Sequence, residues 1–318
     1  MIGSCYFYKN NFSESVASFQ SSLKSCLNSY NSNNKLDEDL ARTKMFLALA
    51  YQKNGDYPNS EKYNLESIEI FKNLNKSSKN LFTDELINNL HNLQSVYHST
   101  NDNEKKLLQS TLEILNIYKN LALSNSDGYD IKVSETLCEL GIRYYNVQKY
   151  FDSEKSLKES LKLNKKILKN LINNIKIDSI NAYDFFNLSL VYNTMGLYRL
   201  SESNYIKAIT LFRKLSTISK ENFAFITAIT LNNFGSFYAY KEKKFYKAEP
   251  YLLEALTFFE KGVSSNTLKY EIFRESTWSC LFEQYNLALN IEKHEKERLN
   301  LRNKIIKLNF RQKNKIVF

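Results

Sequence analysis

The amino-acid sequence predicts an all-α fold: a right-handed α-solenoid of about six to seven antiparallel helix pairs that ends in a basic C-terminal helix. Two observations predict it. Only 7 glycines and 2 prolines occur in 318 residues, which leaves little of the chain for turns. Small and aromatic residues also recur in phase, about every 45 to 48 residues, as expected when each helix pair stacks on the next.

Composition separates this array from other classes of protein. A single compact domain of 318 residues would stand at the upper size limit for one hydrophobic core. An α/β enzyme needs many glycine-rich loops, which 7 glycines cannot supply. The sequence also has no GxGxxG motif, no phosphate-binding loop and no nucleophile elbow. We therefore expect no enzymatic activity and no cofactor.

The repeat is carried by aromatic residues at turns and by the small residues that follow them. The turn aromatics are Phe12, Tyr57, Tyr150, Tyr198 and Phe245. A serine or alanine stands three residues after each, and another stands seven residues further on. A tyrosine precedes each turn by six residues, or by seven in the case of Tyr238, where one extra turn residue is expected. Helices approach closely where small side chains face each other, so the pattern predicts tight pairs.

One unit, around Tyr97, departs from the pattern. The positions expected to be small hold Gln94, Lys106 and Glu113 there. Asn103 stands in place of the turn aromatic. Long polar side chains at these positions prevent close approach, so we expect a looser helix pair or a register that differs from the one assigned.

The repeats divide the chain into a solenoid at residues 1–297 and a basic C-terminal helix or tail at 298–318. The predicted units lie near 1–30, 36–75, 84–123, 130–172, 180–216, 222–262 and 270–297. Gly3 falls at the eighth position of the first unit, so most of the opening turns of that unit's first helix are missing. Because an array normally ends in a capping repeat, this favours a fragment or a start site assigned too late.

Two segments resemble tetratricopeptide repeats. One is Asn187-Leu-Ser-Leu-Val-Tyr192, followed by Gly196-Leu-Tyr198; the other is Thr230-Leu-Asn-Asn-Phe-Gly235, followed by Phe245 and Ala248-Glu-Pro-Tyr251. The long units and the Asn-Leu and Asn-Asn openings look most like the kinesin-light-chain-like subclass. The resemblance covers nearly the whole chain, and it implies binding of other proteins rather than catalysis.

The resemblance also implies where a partner binds. In this family the first helix of each pair lines a concave groove, and in kinesin-light-chain-like members an Asn five residues before the helix tyrosine contacts the ligand backbone. The matching positions hold Asn92, Glu139, Asn187 and Asn233, with Phe46 in the second unit. An amide both donates and accepts hydrogen bonds, so it suits the main chain of an extended peptide.

The charges of these groove residues restrict the kind of ligand that we expect. A ladder of asparagines without matching Lys or Arg argues against the clamping of a carboxylate. Glu139 would instead favour a basic or donor group on the ligand. The alternative explanation is that asparagine is abundant throughout this chain, so its presence at these positions has no special meaning.

Histidine and cysteine placement argues against a metal site. His91 and His98 are seven residues apart and lack a third ligand nearby, which makes a poor zinc site. His294 is not followed by a second histidine at metalloprotease spacing. The four cysteines are Cys5, Cys26, Cys138 and Cys280, and none lies in a CxxC pair. We expect four reduced thiols on or near packed helix faces and no bound metal.

The C-terminal segment offers a second kind of surface. The net charge is +10, and residues 298–318 contain seven basic residues and no acidic one. Lys304, Lys307, Arg311 and Lys315 would share one helix face, with Leu301, Ile305 and Leu308 on the opposite, packing face. Nucleic acid, anionic lipid or an acidic protein could bind there. The simpler interpretation is a solubilising cap.

The sequence therefore predicts a non-catalytic adaptor that holds a partner protein or peptide in its groove. Two alternatives stay open: a regulator or anchoring protein that uses the basic tail, and a peptide-sensing regulator that lacks its output domain. The first residues lack the pattern of a signal peptide, and no run is apolar enough for a membrane span, so we expect a cytoplasmic protein.

Overall fold

The computed structural model describes residues 7, 10–28, 34–78, 80–100, 103–124, 126–169, 174–263, 268–292 and 295–314. These ranges contain thirteen α-helices and no strand. The helices are α1 Phe12–Asn28, α2 Asn34–Lys53, α3 Tyr57–Ser77, α4 Thr83–Ser99, α5 Glu104–Ser124, α6 Ser126–Asn146, α7 Tyr150–Ile167, α8 Ile175–Thr194, α9 Tyr198–Ile218, α10 Lys220–Ser236, α11 Phe245–Val263, α12 Leu268–Ile291 and α13 Glu295–Asn314.

The helices form two compact units, residues 1–149 and residues 150–318. Unit 1 contains α1 to α6, and unit 2 contains α7 to α13. Within each unit, every helix packs mainly against the helix before it and the helix after it in the chain. The prediction of an all-α fold built from consecutive helix pairs is confirmed. Within the described ranges, no helix combines the length and the apolarity that crossing a membrane requires.

The small residues of the repeat lie where paired helices touch. Ser60 and Ser201 are fully buried, as are Ala208 and Ala255. Ser60 Oγ donates a 2.7 Å hydrogen bond to the carbonyl of Ala48, and Ser201 Oγ bonds the equivalent carbonyl in its own pair at 2.8 Å. A serine here therefore allows close approach and also gives its buried hydroxyl a partner.

The turns that precede α3, α7, α9 and α11 share one backbone geometry. Gly55, Gln148, Gly196 and Lys243 stand two residues before their helices and have φ between 51° and 82°, in the left-handed region. The carbonyl of Tyr192 accepts the N–H of the residue five positions on, at 2.8 Å, whereas the carbonyl of Tyr238 accepts that of Lys244, six positions on, at 2.8 Å. The extra turn residue predicted after Tyr238 is confirmed, and a π-turn at Phe237–Lys241 absorbs it.

The departing unit is the pair α4–α5, and its register differs by one residue from the one assigned. Leu107 N–H bonds the carbonyl of Asn103 at 2.9 Å, just as Ser60 N–H bonds that of Asp56 at 3.1 Å. Asn103 is therefore the residue before the helix, and the small positions are occupied by Leu107 and Ile114, both buried. The assignment of Lys106 and Glu113 to these positions was wrong.

Bulky residues at the small positions explain the packing of this pair. Leu107 and Ile114 keep the two helix axes apart where serine or alanine would let them touch. Of the neighbouring helices in unit 1, α4 and α5 contact each other least. The expected looser pair is confirmed.

The core of unit 2 is rich in aromatic rings and extends to the C-terminal helix. Tyr205 and Phe234 are nearly inaccessible and stack with ring centroids 5.1 Å apart. Leu301 and Leu308 of α13 are buried in the same core, and Trp278 Nε1 donates a 3.1 Å hydrogen bond to the Leu308 carbonyl. The C-terminal helix is thus an integral part of the last helix pair.

Candidate binding face

The first helices of the pairs in unit 2 are α8, α10 and α12, and each leaves one stripe partly exposed. On α10 the stripe includes Ile229 and Asn233, four residues apart, and it continues seven residues on to Tyr240 in the following π-turn Phe237–Lys241. We call the combined surface the first-helix face of unit 2. It consists of Asn187, Leu190, Ile229, Asn233, Tyr240, Glu283 and Leu287, all half-buried or exposed.

Side-chain hydrogen bonds hold α10 and α12 together beside this face. Thr277 Oγ1 donates to Asn232 Oδ1 at 2.9 Å in a fully buried contact. Nearer the surface, the Tyr240 hydroxyl donates to Glu283 Oε2 at 2.7 Å. Burial, followed by this hydrogen bond to a carboxylate, raises the pKa of Tyr240, so its hydroxyl stays a donor at neutral pH.

Asn187 and Asn233 differ from the asparagines that hold the fold together. Their side chains form no hydrogen bond with a described residue, and Asn187 Nδ2 is also closed off from solvent. By contrast, Asn204 Nδ2 donates to the Leu200 carbonyl at 2.7 Å, and Asn232 accepts from Thr277. The fold therefore uses the amide of Asn232 but not that of its neighbour Asn233.

The first-helix face of unit 2 combines aliphatic and polar side chains and carries no basic one. Leu190, Ile229 and Leu287 supply aliphatic surface, and Glu283 supplies a carboxylate that already accepts from Tyr240. None of the seven defining residues is Lys or Arg. Such a surface favours uncharged polypeptide over an anionic ligand.

The predicted site residues of unit 1 lie in a different environment. Asn92 is half-buried on α4 and forms no hydrogen bond with a described residue. Glu139 lies on α6, and Arg143 Nη2 approaches its Oε1 at 3.3 Å. Because the guanidinium is nearly buried and also lies 3.6 Å from Glu104, the carboxylate already has an internal cation. This internal cation offsets the negative charge that Glu139 was expected to offer a basic ligand group.

The histidines of α4 contact other side chains. His91 Nδ1 lies 3.1 Å from Gln94 Oε1, and His98 Nε2 lies 3.0 Å from Arg143 Nη2. Among the described residues, no three His, Cys, Asp or Glu side chains are grouped so that they could hold a metal ion. His294 lies outside the described residues. Cys138 and Cys280 are buried, Cys26 is half-buried, and none of the three is in a disulfide; Cys5 lies outside the described residues.

A recurring polar contact between pairs was not predicted. The Tyr192 hydroxyl donates to Glu154 Oε1 at 2.8 Å, and Lys158 Nζ reaches the same oxygen at 2.6 Å. The same tyrosine–glutamate contact joins Tyr97 to Glu61 in unit 1 and Tyr285 to Glu249 in unit 2. There the lysine comes from the helix that follows the tyrosine, as Lys106 and Lys304. The sequence signal is a glutamate directly after the small residue, 36 to 38 residues before the tyrosine.

This contact changes the interpretation of the basic helix. Lys304 Nζ lies 2.6 Å from Glu249 Oε1 and 5.8 Å from the ring centroid of Tyr285, so its charge is neutralised inside the unit. Lys307 is exposed. Arg311 lies in α13, and Lys315 lies outside the described residues. Lys304 does not contribute a free charge to an outer basic row.

Comparison with solved structures shows proteins of similar architecture. BtubC (BKLC) from P. vanneervenii has a TM-score of 0.53 and 18% identity, over 80% of this chain and 93% of its own. The apo form of RapI has a TM-score of 0.51 and 16% identity, over 96% of each chain. The signal-transduction ATPase PH0952 from Pyrococcus horikoshii, which carries a tetratricopeptide repeat sensor, has a TM-score of 0.57 and 14% identity, over 97% of this chain and 41% of its own.

At sequence identities of 14% to 18%, structural similarity is evidence about the fold alone. No family model and no curated protein matches the sequence. The consecutive helix pairs, the small residues at their contacts and the architecture of the three solved structures agree with one another. The chain therefore has the tetratricopeptide-repeat fold.

Proposed function

We propose that this chain is a non-catalytic adaptor that holds a segment of a partner protein on the first-helix face of unit 2. The observation that carries the proposal is the contrast between adjacent asparagines on α10. Asn232 is buried and bonded to Thr277, whereas Asn233 is half-exposed and bonds no described residue. An amide that the fold does not use is available to a ligand.

The surroundings of these amides favour a polypeptide ligand. Asn187 and Asn233 occupy equivalent positions on α8 and α10, so the unused amides recur along the face. Asn233 can pair with a main-chain N–H or C=O, and Asn187 can accept a main-chain N–H through its Oδ1, while Leu190 and Ile229 beside them offer apolar contact. Because the face carries few charges, we expect weak, transient binding at about the micromolar level.

The peptide-sensing alternative uses the same face. It differs from the adaptor in needing an output domain that responds when the face is occupied. Both roles predict binding that depends on Asn187 and Asn233, so a binding experiment tests the shared step first.

Affinity capture with mass spectrometry tests the proposal. The native chain is compared with the double variant Asn187→Ala/Asn233→Ala and with Asn232→Ala as the matched control. We expect the double variant to lose partners that the native chain retains, at an unchanged melting temperature, because neither amide bonds within the fold. Asn232→Ala should retain the partners but melt lower, because Thr277 loses its partner.

Unchanged capture by the double variant would reject the binding face. A melting temperature that falls in the double variant would show that the amides serve the fold instead.

A further inference from the structure

The loop end of unit 2 contains a cavity of about 780 Å³. It lies between the π-turn Phe237–Lys241, the first turn of α11 and the second half of α12. Much of its wall is apolar and exposed: Tyr240, Tyr246 and Leu287 are 45%, 70% and 51% accessible. A cavity of this volume with apolar walls is typical of a ligand site.

The cavity coincides with the lengthened turn between α10 and α11. This turn has one residue more than its counterparts, and the chain absorbs it in the π-turn Phe237–Lys241. A π-turn of this kind is uncommon and is often found at functional sites. The insertion widens the turn and places three lysines, Lys243, Lys244 and Lys247, along the cavity wall.

The charge of this wall is unbalanced. Lys244 pairs with Glu242 at 2.5 Å. Lys243 and Lys247 form no ion pair with a described residue, and Lys247 Nζ lies 5.4 Å from the Tyr238 ring centroid. Glu292 is the acidic residue in the lining. Two ammonium groups beside apolar surface complement a carboxylate that is attached to an apolar neighbour.

We propose that this cavity accepts an acidic residue of the partner segment together with an adjacent aromatic or aliphatic side chain. The carboxylate would lie between Lys243 and Lys247, and the apolar side chain would rest against Tyr246 and Leu287. This inference rests on the proposed function, because Leu287 belongs to both the cavity and the first-helix face of unit 2. A segment bound along that face would therefore reach the cavity.

Fluorescence anisotropy with a labelled Phe-Glu-Phe-Glu tetrapeptide tests the inference on the full chain. We expect this probe to bind at least about tenfold more tightly than Phe-Gln-Phe-Gln, and more weakly as salt is raised. The double variant Lys243→Gln/Lys247→Gln should lose that preference. Lys207→Gln/Lys220→Gln is the matched control, because Lys207 also lies over a ring, 5.2 Å from the Phe185 centroid, and does not line the cavity.

No binding of the acidic probe, equal binding of both probes, or an unchanged preference in Lys243→Gln/Lys247→Gln would overturn the inference. The Asn187→Ala/Asn233→Ala variant should bind the tetrapeptide normally, because the short probe fills only the cavity. If probe binding depends on the lysines but partner capture does not depend on Asn187 and Asn233, the proposed binding face is rejected and the cavity site is retained. If partner capture depends on the asparagines but probe binding does not depend on the lysines, only the cavity site is rejected.

Discussion

The hydroxyl of Tyr192 donates a 2.8 Å hydrogen bond to Oε1 of Glu154, an oxygen that Lys158 also contacts at 2.6 Å. Glu154 lies on α7, and Tyr192 lies on α8, the first helix of the pair that follows. The contact therefore joins a helix pair to the helix before it, and its counterparts recur elsewhere in both units. Its strength can be measured through the titration of the carboxylate.

Glu154→Gln should lower stability in a pH-dependent way. Burial raises the pKa of Glu154, but the hydrogen bonds from Lys158 and Tyr192 prevail and lower it from its usual 4.5. The stabilisation is thus present above that value and is lost as the pH falls through the lower, folded-state pKa. We expect the variant to be about 1 kcal/mol less stable near neutral pH, with a difference that shrinks as the pH falls below the usual glutamate pKa.

Urea unfolding across a pH series measures this. Glu69→Gln, at an exposed glutamate without an ion pair to a described residue, is the control and should change little at any pH. A deficit of the Glu154→Gln variant that is the same at both ends of the series would contradict the proposed charge interaction.

Gly196→Ala should destabilise unit 2 through the backbone alone. Gly196 has φ +75°, and no atom lies within 4 Å of the position that its Cβ would take. The expected loss is about 1 kcal/mol, the usual penalty for a side chain in the left-handed region. Chemical denaturation measures it. Lys243→Gly, at the equivalent turn position, should instead stabilise unit 2, because glycine adopts positive φ without penalty. Destabilisation by that change would contradict the backbone argument.

Gly235→Ala should destabilise through packing. In a helix interior alanine is normally favoured over glycine by about 1 kcal/mol. Here the new Cβ would lie 2.6 Å from Leu252 Cγ and 3.3 Å from the carbonyl oxygen of Ala248, so overpacking should reverse the sign, at about 1–3 kcal/mol.

A double-variant cycle separates packing from propensity at this site. Leu252→Ala makes room for the added methyl group, so Gly235→Ala in that background should become neutral or stabilising. Additive losses in the two variants would show that the pair does not clash.

Lys304 and Lys307 should behave differently although both belong to the basic helix. Lys304→Gln leaves Glu249 without its cation and should lower the unfolding free energy by about 1 kcal/mol or less, as for a partly exposed pair. Lys307→Gln should leave stability unchanged. If the basic helix binds nucleic acid or anionic vesicles, Lys307→Gln should weaken salt-sensitive retention and Lys304→Gln should not.

Substitutions are the suitable test here. Deleting residues 298–318 would remove Leu301 and Leu308 from the core, so the shortened chain would report on folding as well as on charge. Retention that survives Lys307→Gln and Arg311→Gln together would contradict the basic-helix alternative.

The sequence predicts the helix pairs and their turns because close packing restricts the choice of residue. Ser60 and Ala208 lie where only small side chains fit, so their spacing marks each pair. The same reasoning fails for the unit around Tyr97. Neither Asn103 nor Glu104 is aromatic, and Leu107 and Ile114 are not small, so nothing local fixes the register to one residue.

Contacts between pairs are harder to predict from the sequence. Tyr192 could reach any of several glutamates, and the choice of Glu154, 38 residues earlier, depends on how the pairs stack. The pairing of Glu139 with Arg143 has a local signal, since four residues separate them on one helix face. Which asparagine of α10 is bonded and which is unused follows only from the structure, because Asn232 and Asn233 are neighbours of the same type.

Site-specific photocrosslinking tests the central claim most directly. A photoreactive phenylalanine is placed at Ile229 on the first-helix face of unit 2, or at Thr257, an exposed position of α11 outside that face. Illumination of the chain with its captured partner should yield a covalent adduct from position 229 and none from position 257. An adduct from position 257 alone, or equal adducts from both positions, would contradict binding on the first-helix face.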